Sequence, residues 1–132
     1  MQRSSYGADE PAKWLEDAQA DLAIARIPLP RGAKYEQLCF HAQQAAEKAM
    51  KAVLLKRGVD FPFTHNLQAL IDLLPEGLLR PLNLVYAVDL NPYAVTTRYP
   101  PGAEPVSAQE YRRALKIAES VVAWAESVIA GD

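Results

Sequence analysis

The chain has 132 residues, of which 50% are hydrophobic and 23% are charged, and its formal net charge is −2. This length and composition are typical of one globular domain that buries its own core. The small negative charge excludes a globally basic nucleic-acid-binding protein, so any such site must be local. The single cysteine, Cys39, excludes both a disulfide scaffold within the chain and a cysteine-rich metal site.

The first ten residues of the sequence are not expected to be a signal peptide. Residues 1–8 are polar and lack the apolar run of a signal peptide, so we expect a flexible tail before a single domain of residues 9–132. No window approaches the roughly 20 apolar residues of a membrane span. We therefore expect a cytoplasmic protein without a membrane partner.

The first predicted helix begins at Asp9–Pro11, where two acids and a proline favour a first helical turn. Apolar residues then recur at steps of three and four: Leu15, Ala18, Leu22 and Ala25. The charged and amide side chains between them, including Asp21, are expected to face away from this apolar side. Pro28 and Pro30 end the helix.

The central predicted helix runs from near Ala33 to Lys56 or Arg57, with Gly58 as the residue that ends it. One face carries small apolar residues: Cys39, Ala42, Ala46, Ala49 and Val53. A neighbouring face is mixed: Phe40, Gln43, Glu47, Met50 and Leu54. A third face is polar: His41, Gln44, Lys48 and Lys51. Such a helix is suited to being covered by its own domain on one side and by another chain on the other, which predicts a homodimer.

The second half of the chain predicts two short helices, a proline-rich loop and a last long helix. Thr64-His65-Asn66 offers N-cap residues for a helix over Leu67–Leu74, and a second short helix is expected over roughly Leu78–Leu90. The segment Asn91–Val106 contains four prolines and cannot form a regular α-helix. Ser107-x-x-Glu110 is a capping box that starts the last helix, whose expected seam is Tyr111, Leu115, Ala118, Val122, Ala125 and Ile129. The predicted fold is all-α, an up-and-down bundle of three long and two short helices.

Three of these segments together resemble the HEPN family (higher eukaryotes and prokaryotes nucleotide-binding). They are the helix segment Phe40–Ala52, the His65-Asn66-Leu67 helix start, and Thr97-Arg98-Tyr99-Pro100 before the last helix. The match extends over about residues 11–130. The resemblance implies a helical bundle that dimerises through its long helices. It also implies a minimal nucleotidyltransferase as partner in a toxin–antitoxin-like pair, in which the HEPN member is a metal-independent ribonuclease.

The ribonuclease signature of that family is absent from this sequence. The signature is an arginine followed, after four to six residues, by a histidine, yet Ala103, Glu104 and Pro105 stand at those positions after Arg98. The chain contains two histidines, His41 and His65. The resemblance therefore assigns the fold and the dimer, and assigns no enzyme activity.

Candidate site residues follow from the loop and from the central helix. Arg98 and its neighbours Thr97 and Tyr99 are the first candidates. The Arg98 guanidinium could bind a phosphate while the Tyr99 ring stacks on a base. Arg98 could also be the ion-pair partner of Glu47, and the two roles are compatible. Glu47 and Gln43 are interpreted as buried structural polar groups. Lys48 and His65 are the other cleft candidates, although the sequence favours a solvated face or a surface ion pair for Lys48 and a capping or packing role for His65. For catalysis the sequence offers Arg98 and His65, and no ligand spacing indicates a metal or a cofactor.

Three functions remain open at this point. The first is a dimeric partner of a minimal nucleotidyltransferase that binds nucleotide or RNA near Arg98. The second is a divergent metal-independent ribonuclease toxin, in which an imidazole serves as general base to a 2′-hydroxyl. The third is a helical interaction module without a ligand.

Overall fold

The computed structural model describes residues 10–94 and 104–131, and it contains five helices in these ranges. They are α1 (Glu10–Ala25), α2 (Tyr35–Lys56), α3 (Leu67–Asp72), a 3-10 helix (Leu82–Ala94) and α4 (Ala108–Gly131). The predicted all-α bundle of three long and two short helices is confirmed. Residues 1–9, 95–103 and 132 lie outside the described ranges, and with them the expected tail and the Thr97-Arg98-Tyr99 loop.

Helix α2 lies at the centre, where it packs against α1, α4, α3 and the 3-10 helix. Its fully buried alanines allow close helix approach: Ala42, Ala45, Ala46, Ala49 and Ala52. Cys39 is also fully buried on this helix, as are Met50 and Leu54 on the neighbouring face. Except for the partly buried Phe40, both faces that the sequence offered for burial are therefore covered within one chain. What stays partly open is a strip of three polar residues at steps of three and four, His41, Gln44 and Lys48, called here the polar stripe.

The end of α2 shows how the sequence turns the chain. Gly58 has a φ of +73°, which an L side chain rarely adopts, and so it ends the helix as predicted. The amide of Gly58 donates to the Leu55 carbonyl (3.0 Å), and the amide of Val59 donates to the Leu54 carbonyl (2.8 Å). These two bonds form a Schellman motif, which redirects residues 59–66 back across α2.

Helix α1 departs from its prediction at one residue. Asp21 was expected to face away from the apolar side, yet it is buried together with Ala18, Leu22 and Ala25. The reason is helical geometry. Asp21 follows Ala18 by three residues and precedes Ala25 by four, which places it on the same buried face of α1. Its carboxylate is accommodated because α2 supplies two polar partners, described below.

The second short helix is a 3-10 helix and begins four residues later than predicted, after Pro81. Its buried residues, Leu84, Ala87 and Leu90, are spaced by three. A 3-10 helix has three residues per turn, so this spacing places all of them on one line. The same helix includes Pro92 and extends into a segment that was expected to be loop.

Helix α4 starts at the predicted capping box, in which the Ser107 Oγ accepts from the Glu110 amide (3.0 Å) and the Glu110 carboxylate accepts from the Ser107 amide (3.1 Å). Its buried face is rotated from the predicted seam and consists of Ala114, Ala118, Val121, Val122, Trp124, Ala125 and Val128. Leu115 and Ile129 are only partly buried. The rotation arises because α4 packs against α1 and the 3-10 helix as well as against α2.

Near the start of α4, Tyr111 ties together three helices. Its ring stacks on Tyr35 of α2, with centroids 5.0 Å apart, and its hydroxyl donates to the Ala25 carbonyl at the end of α1 (2.6 Å). Burial raises the pKa of the Tyr111 phenol above its usual value, with smaller contributions from nearby Cys39, Tyr35 and Glu119.

Candidate functional site

A buried polar network lies beside the polar stripe, on the mixed face of α2. The Glu47 and Lys51 side chains are each only 4% exposed, and Lys51 Nζ lies 2.9 Å from Glu47 Oε2. The side-chain nitrogen (Nε2) of the fully buried Gln43 donates to Glu47 Oε1 (3.1 Å). A buried carboxylate needs such partners, because an unpaired buried charge costs several kcal/mol (about 3–5).

Two aromatic rings enclose the ammonium group of Lys51. Lys51 Nζ lies 5.6 Å from the centroid of the Trp14 ring and 5.5 Å from that of Phe61. The two rings meet edge to face at 6.1 Å. Cation–π attraction therefore adds to the ion pair with Glu47 and holds Lys51 in place. The sequence had placed Lys51 on the polar outer face, and the structure corrects this.

His65 connects the buried network to the surface. Its side chain is 55% exposed, and its Nδ1 lies 3.0 Å from Glu47 Oε1. Its backbone carbonyl accepts a hydrogen bond from the Gln43 side-chain nitrogen Nε2 (3.3 Å). A carboxylate only accepts hydrogen bonds, so His65 Nδ1 carries a proton, and in the neutral form of the ring Nε2 is the atom with the lone pair. Glu47 thus orients an accessible nitrogen base.

A second imidazole–carboxylate pair lies on the other side of the polar stripe. The carboxylate of Asp21 in α1 contacts the residues at both ends of the stripe. Its Oδ1 lies 2.9 Å from His41 Nδ1, and its Oδ2 lies 2.8 Å from Lys48 Nζ. Lys48 is therefore an ion-paired, partly buried residue. Between these pairs, Gln44 donates to the Gln43 side-chain oxygen (2.7 Å) and so links the stripe to the network around Glu47.

The position of His65 follows from the elements on each side of it. The Schellman turn at Gly58 brings residues 59–66 back over α2, and Asn66 then caps α3 by accepting from the Gln68 amide (3.0 Å). The Asn91 side chain in the 3-10 helix accepts from the Leu67 amide (2.9 Å) and donates to Asn66 (3.0 Å). His65 therefore lies one residue before the N-cap of α3, where the bonds of Asn66 and Asn91 fix the chain.

The structure brings together some of the predicted site residues and not others. Gln43, Glu47 and His65 form one network, and Lys48 lies one helical turn from Gln44 on the polar stripe. Thr97, Arg98 and Tyr99 lie outside the described residues. The predicted pairing of Arg98 with Glu47 also lies outside the described residues; within them, the Glu47 oxygens are contacted by Lys51, His65 and Gln43.

Sequence reasoning missed Asp21 and Lys51, and it did not pair either histidine with a carboxylate. The signal for Asp21 was its place between Ala18 and Ala25 on one helical stripe. The signal for Lys51 was its position four residues after Glu47, the spacing of a helical ion pair. The pairing of Asp21 with α2 had no local signal, because its partners lie 20 and 27 residues away.

The described ranges hold neither a metal-binding cluster nor a membrane-spanning helix. No three histidine, cysteine or carboxylate side chains gather as a metal-binding group in residues 10–94 and 104–131. In the same ranges no helix combines the length and the apolar character needed to cross a membrane.

The fold and the site together define a small helical-bundle protein with two imidazole–carboxylate pairs beside a polar stripe on its central helix. The chain belongs to the HEPN domain family, since the model of that family matches residues 12–128. The resemblance that the three sequence segments indicated is thereby confirmed.

Two relatives support this assignment. The crystal structure of TT1696 from Thermus thermophilus is 35% identical in sequence, superposes with a TM-score of 0.76, and is matched over 91% of this chain and 98% of its own. The protein named "Putative toxin MJ1304" from Methanocaldococcus jannaschii is 33% identical over 61 residues. That match spans 46% of this chain and 40% of the relative.

Proposed function

We propose that the protein is the HEPN member of a toxin–antitoxin-like pair that acts beside a minimal nucleotidyltransferase. In this proposal it forms a homodimer and binds nucleotide or RNA along the polar stripe of α2, with Thr97, Arg98 and Tyr99 as further candidate ligand-binding residues from the sequence. The observation that carries it is the Glu47–His65 pair, in which a buried carboxylate orients a half-exposed imidazole. The relative named as a toxin supports the biological context, although it matches over less than half of either chain.

Polar groups on and beside the stripe suit a nucleotide. Lys48 and an oriented His65 offer hydrogen-bond donors or a base toward phosphate or ribose hydroxyls. Phe63 is 92% exposed, and its ring lies 5.8 Å from that of His65. An exposed aromatic ring beside polar groups is a platform on which a base can stack. A homodimer over this side of α2 would bring two such stripes together, because a two-fold interface repeats one patch on both subunits.

Binding is tested by titrating a short single-stranded RNA and ATP into the wild-type protein, His65→Ala and Lys48→Met. Lys56→Met is the matched control, since Lys56 is an exposed lysine in the last turn of the same helix. We expect binding to weaken about tenfold or more in the first two variants, which is about 1.4 kcal/mol or more, and to stay unchanged in the control. Absence of binding to both ligands by the wild type contradicts the proposed ligand class.

The assembly is tested separately. Light scattering at micromolar concentration should give the mass of a dimer, and a monomer would contradict that part of the proposal. The nucleotidyltransferase partner is tested by co-expressing the product of the adjacent reading frame with this chain and measuring whether the two co-purify. A neighbouring frame that encodes no nucleotidyltransferase would count against the pair.

The orientation of His65 favours one further candidate function, a divergent metal-independent ribonuclease. Its Nε2 would take the proton of a 2′-hydroxyl, the 2′-oxygen would attack the phosphorus, and the 5′-oxygen would leave and gain a proton from solvent. The products are a 2′,3′-cyclic phosphate and a 5′-hydroxyl. A buried carboxylate behind the imidazole stabilises the imidazolium that forms, as in other carboxylate–histidine pairs. Arg98 would stabilise charge on the phosphate.

Cleavage is tested in cells and with purified protein in the presence of EDTA. Wild type should slow growth and cleave RNA, whereas His65→Ala and Arg98→Ala should not. Equal growth and intact RNA in all three strains would rule out the ribonuclease and leave the binding proposal standing.

A further inference from the structure

A narrow cavity opens between the 3-10 helix and α4, between two contacts that hold these helices together. At one end, Trp124 Nε1 donates to the carbonyl of Leu79, just before the 3-10 helix (3.0 Å). At the other end, a guanidinium nitrogen of Arg113 lies 2.7 Å from a carboxylate oxygen of Asp89. The two elements therefore run antiparallel, and the cavity between them has a volume of about 290 Å³.

Both elements supply the walls of this cavity, called here the Tyr86 cavity. The 3-10 helix contributes Asn83 and Tyr86, which are three residues apart and so share one side of that helix. Arg113 stands at one end of the cavity. The remaining lining residues come from α4 as two pairs at steps of four: Lys116 with Ser120, and Ile117 with Val121. The walls therefore combine polar side chains from two helices with an apolar pair.

Most polar side chains of the Tyr86 cavity are not used by the fold. The side chains of Asn83, Tyr86, Lys116 and Ser120 form no hydrogen bond or ion pair within the part of the chain that the structure describes. An amide, a phenol, an ammonium group and a hydroxyl therefore line one small cavity with their hydrogen-bonding capacity available to a ligand.

The larger groove beside Trp124, of about 590 Å³, differs in this respect. The Trp124 indole donates to the Leu79 carbonyl, and the Ser127 hydroxyl donates to the Trp124 carbonyl (2.7 Å). The Arg80 guanidinium donates to the Pro75 carbonyl (2.9 Å). These polar side chains already bind backbone groups of the protein, so the smaller cavity is the better candidate for a ligand.

One positive charge of the Tyr86 cavity has no counter-ion among the described residues. Arg113 is paired with Asp89, so these two charges compensate each other. Lys116 has no carboxylate partner in residues 10–94 and 104–131. A ligand that complements the cavity therefore carries a negative group near Lys116.

The other groups and the volume define the rest of the ligand. Tyr86 is 54% exposed, so its ring offers a surface against which a second ring can pack. Val121 is almost completely buried, and Ile117 is partly buried, so the part of the cavity that they line is apolar. A volume of about 290 Å³ lies at the lower end of the range of ligand cavities, about 300–1,000 Å³. Such a cavity suits a single ring with one acidic substituent.

We propose that the Tyr86 cavity binds a small organic anion, with its ring against Tyr86 and Ile117 and its carboxylate or phosphate at Lys116. Asn83 and Ser120 would supply hydrogen bonds to its polar atoms. This assignment goes beyond the function proposed above, because none of the lining residues belongs to the polar stripe or to the network around Glu47.

The test titrates the full, isotope-labelled chain with benzoate and with phenyl phosphate, and follows the NMR amide signals. Benzamide serves as the uncharged ring, and inorganic phosphate serves as the anion without a ring. We expect at least one of the two ring anions to bind with a dissociation constant of about 1 mM or lower and to shift the signals of residues 83–86 and 116–121. Either acid satisfies the proposal, and the tighter one identifies the acidic group.

Two pairs of variants test the assigned roles. Lys116→Met should weaken binding of the ring anion about tenfold, whereas Lys56→Met, which removes an exposed lysine outside the cavity, should not change it. Tyr86→Leu should weaken binding about threefold or more, whereas Tyr86→Phe keeps the ring and should retain it. Lys116 and Tyr86 are exposed, so these variants should fold, and the dispersion of their amide signals verifies this.

Several outcomes would overturn the proposal. One is the absence of any shift with both ring anions at about 10 mM, tenfold above the expected constant. Another is equally tight binding of benzamide and benzoate, which would show an apolar slot that does not recognise charge. A third is equally tight binding of inorganic phosphate and phenyl phosphate, which would show a surface cation alone. An equal loss in Lys56→Met would likewise contradict the role of Lys116.

The proposal is independent of nucleotide binding at the polar stripe. His65→Ala and Lys48→Met should bind the ring anion as the wild type does. A loss of binding in these two variants would assign the ligand to the stripe and overturn the proposal. Conversely, a protein that binds neither ATP nor RNA can still bind benzoate or phenyl phosphate in the Tyr86 cavity.

Discussion

The imidazole of His65 lies 3.0 Å from Oε1 of Glu47, so a half-exposed ring is hydrogen-bonded to a carboxylate that is almost completely buried. The other oxygen of the same carboxylate is held by Lys51, whose ammonium group lies between two aromatic rings. A surface nitrogen base is thereby positioned by groups of the core. Changes to the core network should therefore affect both stability and the surface site.

We predict that Glu47→Gln lowers the free energy of unfolding by about 3 kcal/mol, because it leaves the Lys51 charge buried without a counter-ion. Lys51→Met should also destabilise the protein, by leaving Glu47 unpaired. The double variant should regain much of the loss, since it buries neither charge. Urea unfolding of all four proteins gives the coupling energy directly.

The exposed ion pair between Arg26 and Glu119 provides the control for this cycle, at the nearly identical distance of 2.9 Å. Its coupling energy should lie below about 1 kcal/mol, because solvent screens exposed charges. Equal coupling energies for the two pairs would contradict the importance assigned to burial.

Gly58→Ala should destabilise the protein by about 1 kcal/mol, because an L side chain is strained at a φ of +73°. Nothing lies within 4 Å of the position that a Cβ would occupy, so the cost is one of backbone conformation alone. Gly77→Ala is the control, since Gly77 has equally open surroundings and no positive φ. Thermal unfolding should show a lower midpoint for the first variant and an unchanged or higher one for the second.

Tyr111→Phe should cost about 1 kcal/mol at neutral pH through loss of the hydrogen bond to the Ala25 carbonyl. The pKa of the Tyr111 phenol is raised in the folded state, so the protonated phenol makes its full contribution to the stability of the wild type below pH 10. It is lost as the pH rises from 10 through the folded-state pKa. Between pH 8 and pH 11, the free energy of unfolding should therefore fall more steeply for the wild type than for Tyr111→Phe. An equal pH dependence in the two proteins would contradict the assignment.

Ser107→Ala should lower stability by about 1 kcal/mol, because it removes the oxygen that accepts from the Glu110 amide at the start of α4. Ser107→Asp keeps an acceptor there and should restore most of the loss. The comparison is again made by urea unfolding. Should Ser107→Ala prove as stable as the wild type, the capping box would contribute nothing to α4.

Local sequence rules predicted the helices whose ends have chemical signals. The end of α2 and the starts of α3 and α4 were predicted from Gly58, from the Thr64–Asn66 cap and from the Ser107–Glu110 box, because caps act within a few residues. A short helix was predicted near the 3-10 helix, but its bounds differ, since the helix begins at Leu82 and continues to Ala94 into the segment predicted as loop. The strict three-residue spacing of Leu84, Ala87 and Leu90 was the signal that distinguishes a 3-10 helix from an α-helix.

The site was harder to predict than the fold. Burial of Gln43 and Glu47 was expected from their place on an apolar face, but the partners of Glu47 were not. Polarity alone suggested that Asp21 faces solvent, whereas its burial depends on Lys48 and His41 of another helix. Contacts between elements distant in sequence leave no periodic trace in either one, so they became visible only in the structure.

The burial of Cys39 has a practical consequence for measuring how the bundle opens. It is the one cysteine of the chain, and its side chain is fully buried on α2. A thiol-specific reagent can react with it only after the bundle opens, so the labelling rate reports how often α2 separates from its neighbours. The protein therefore contains a natural single-site probe of core opening, and labelling with and without a ligand would measure how strongly that ligand closes the bundle.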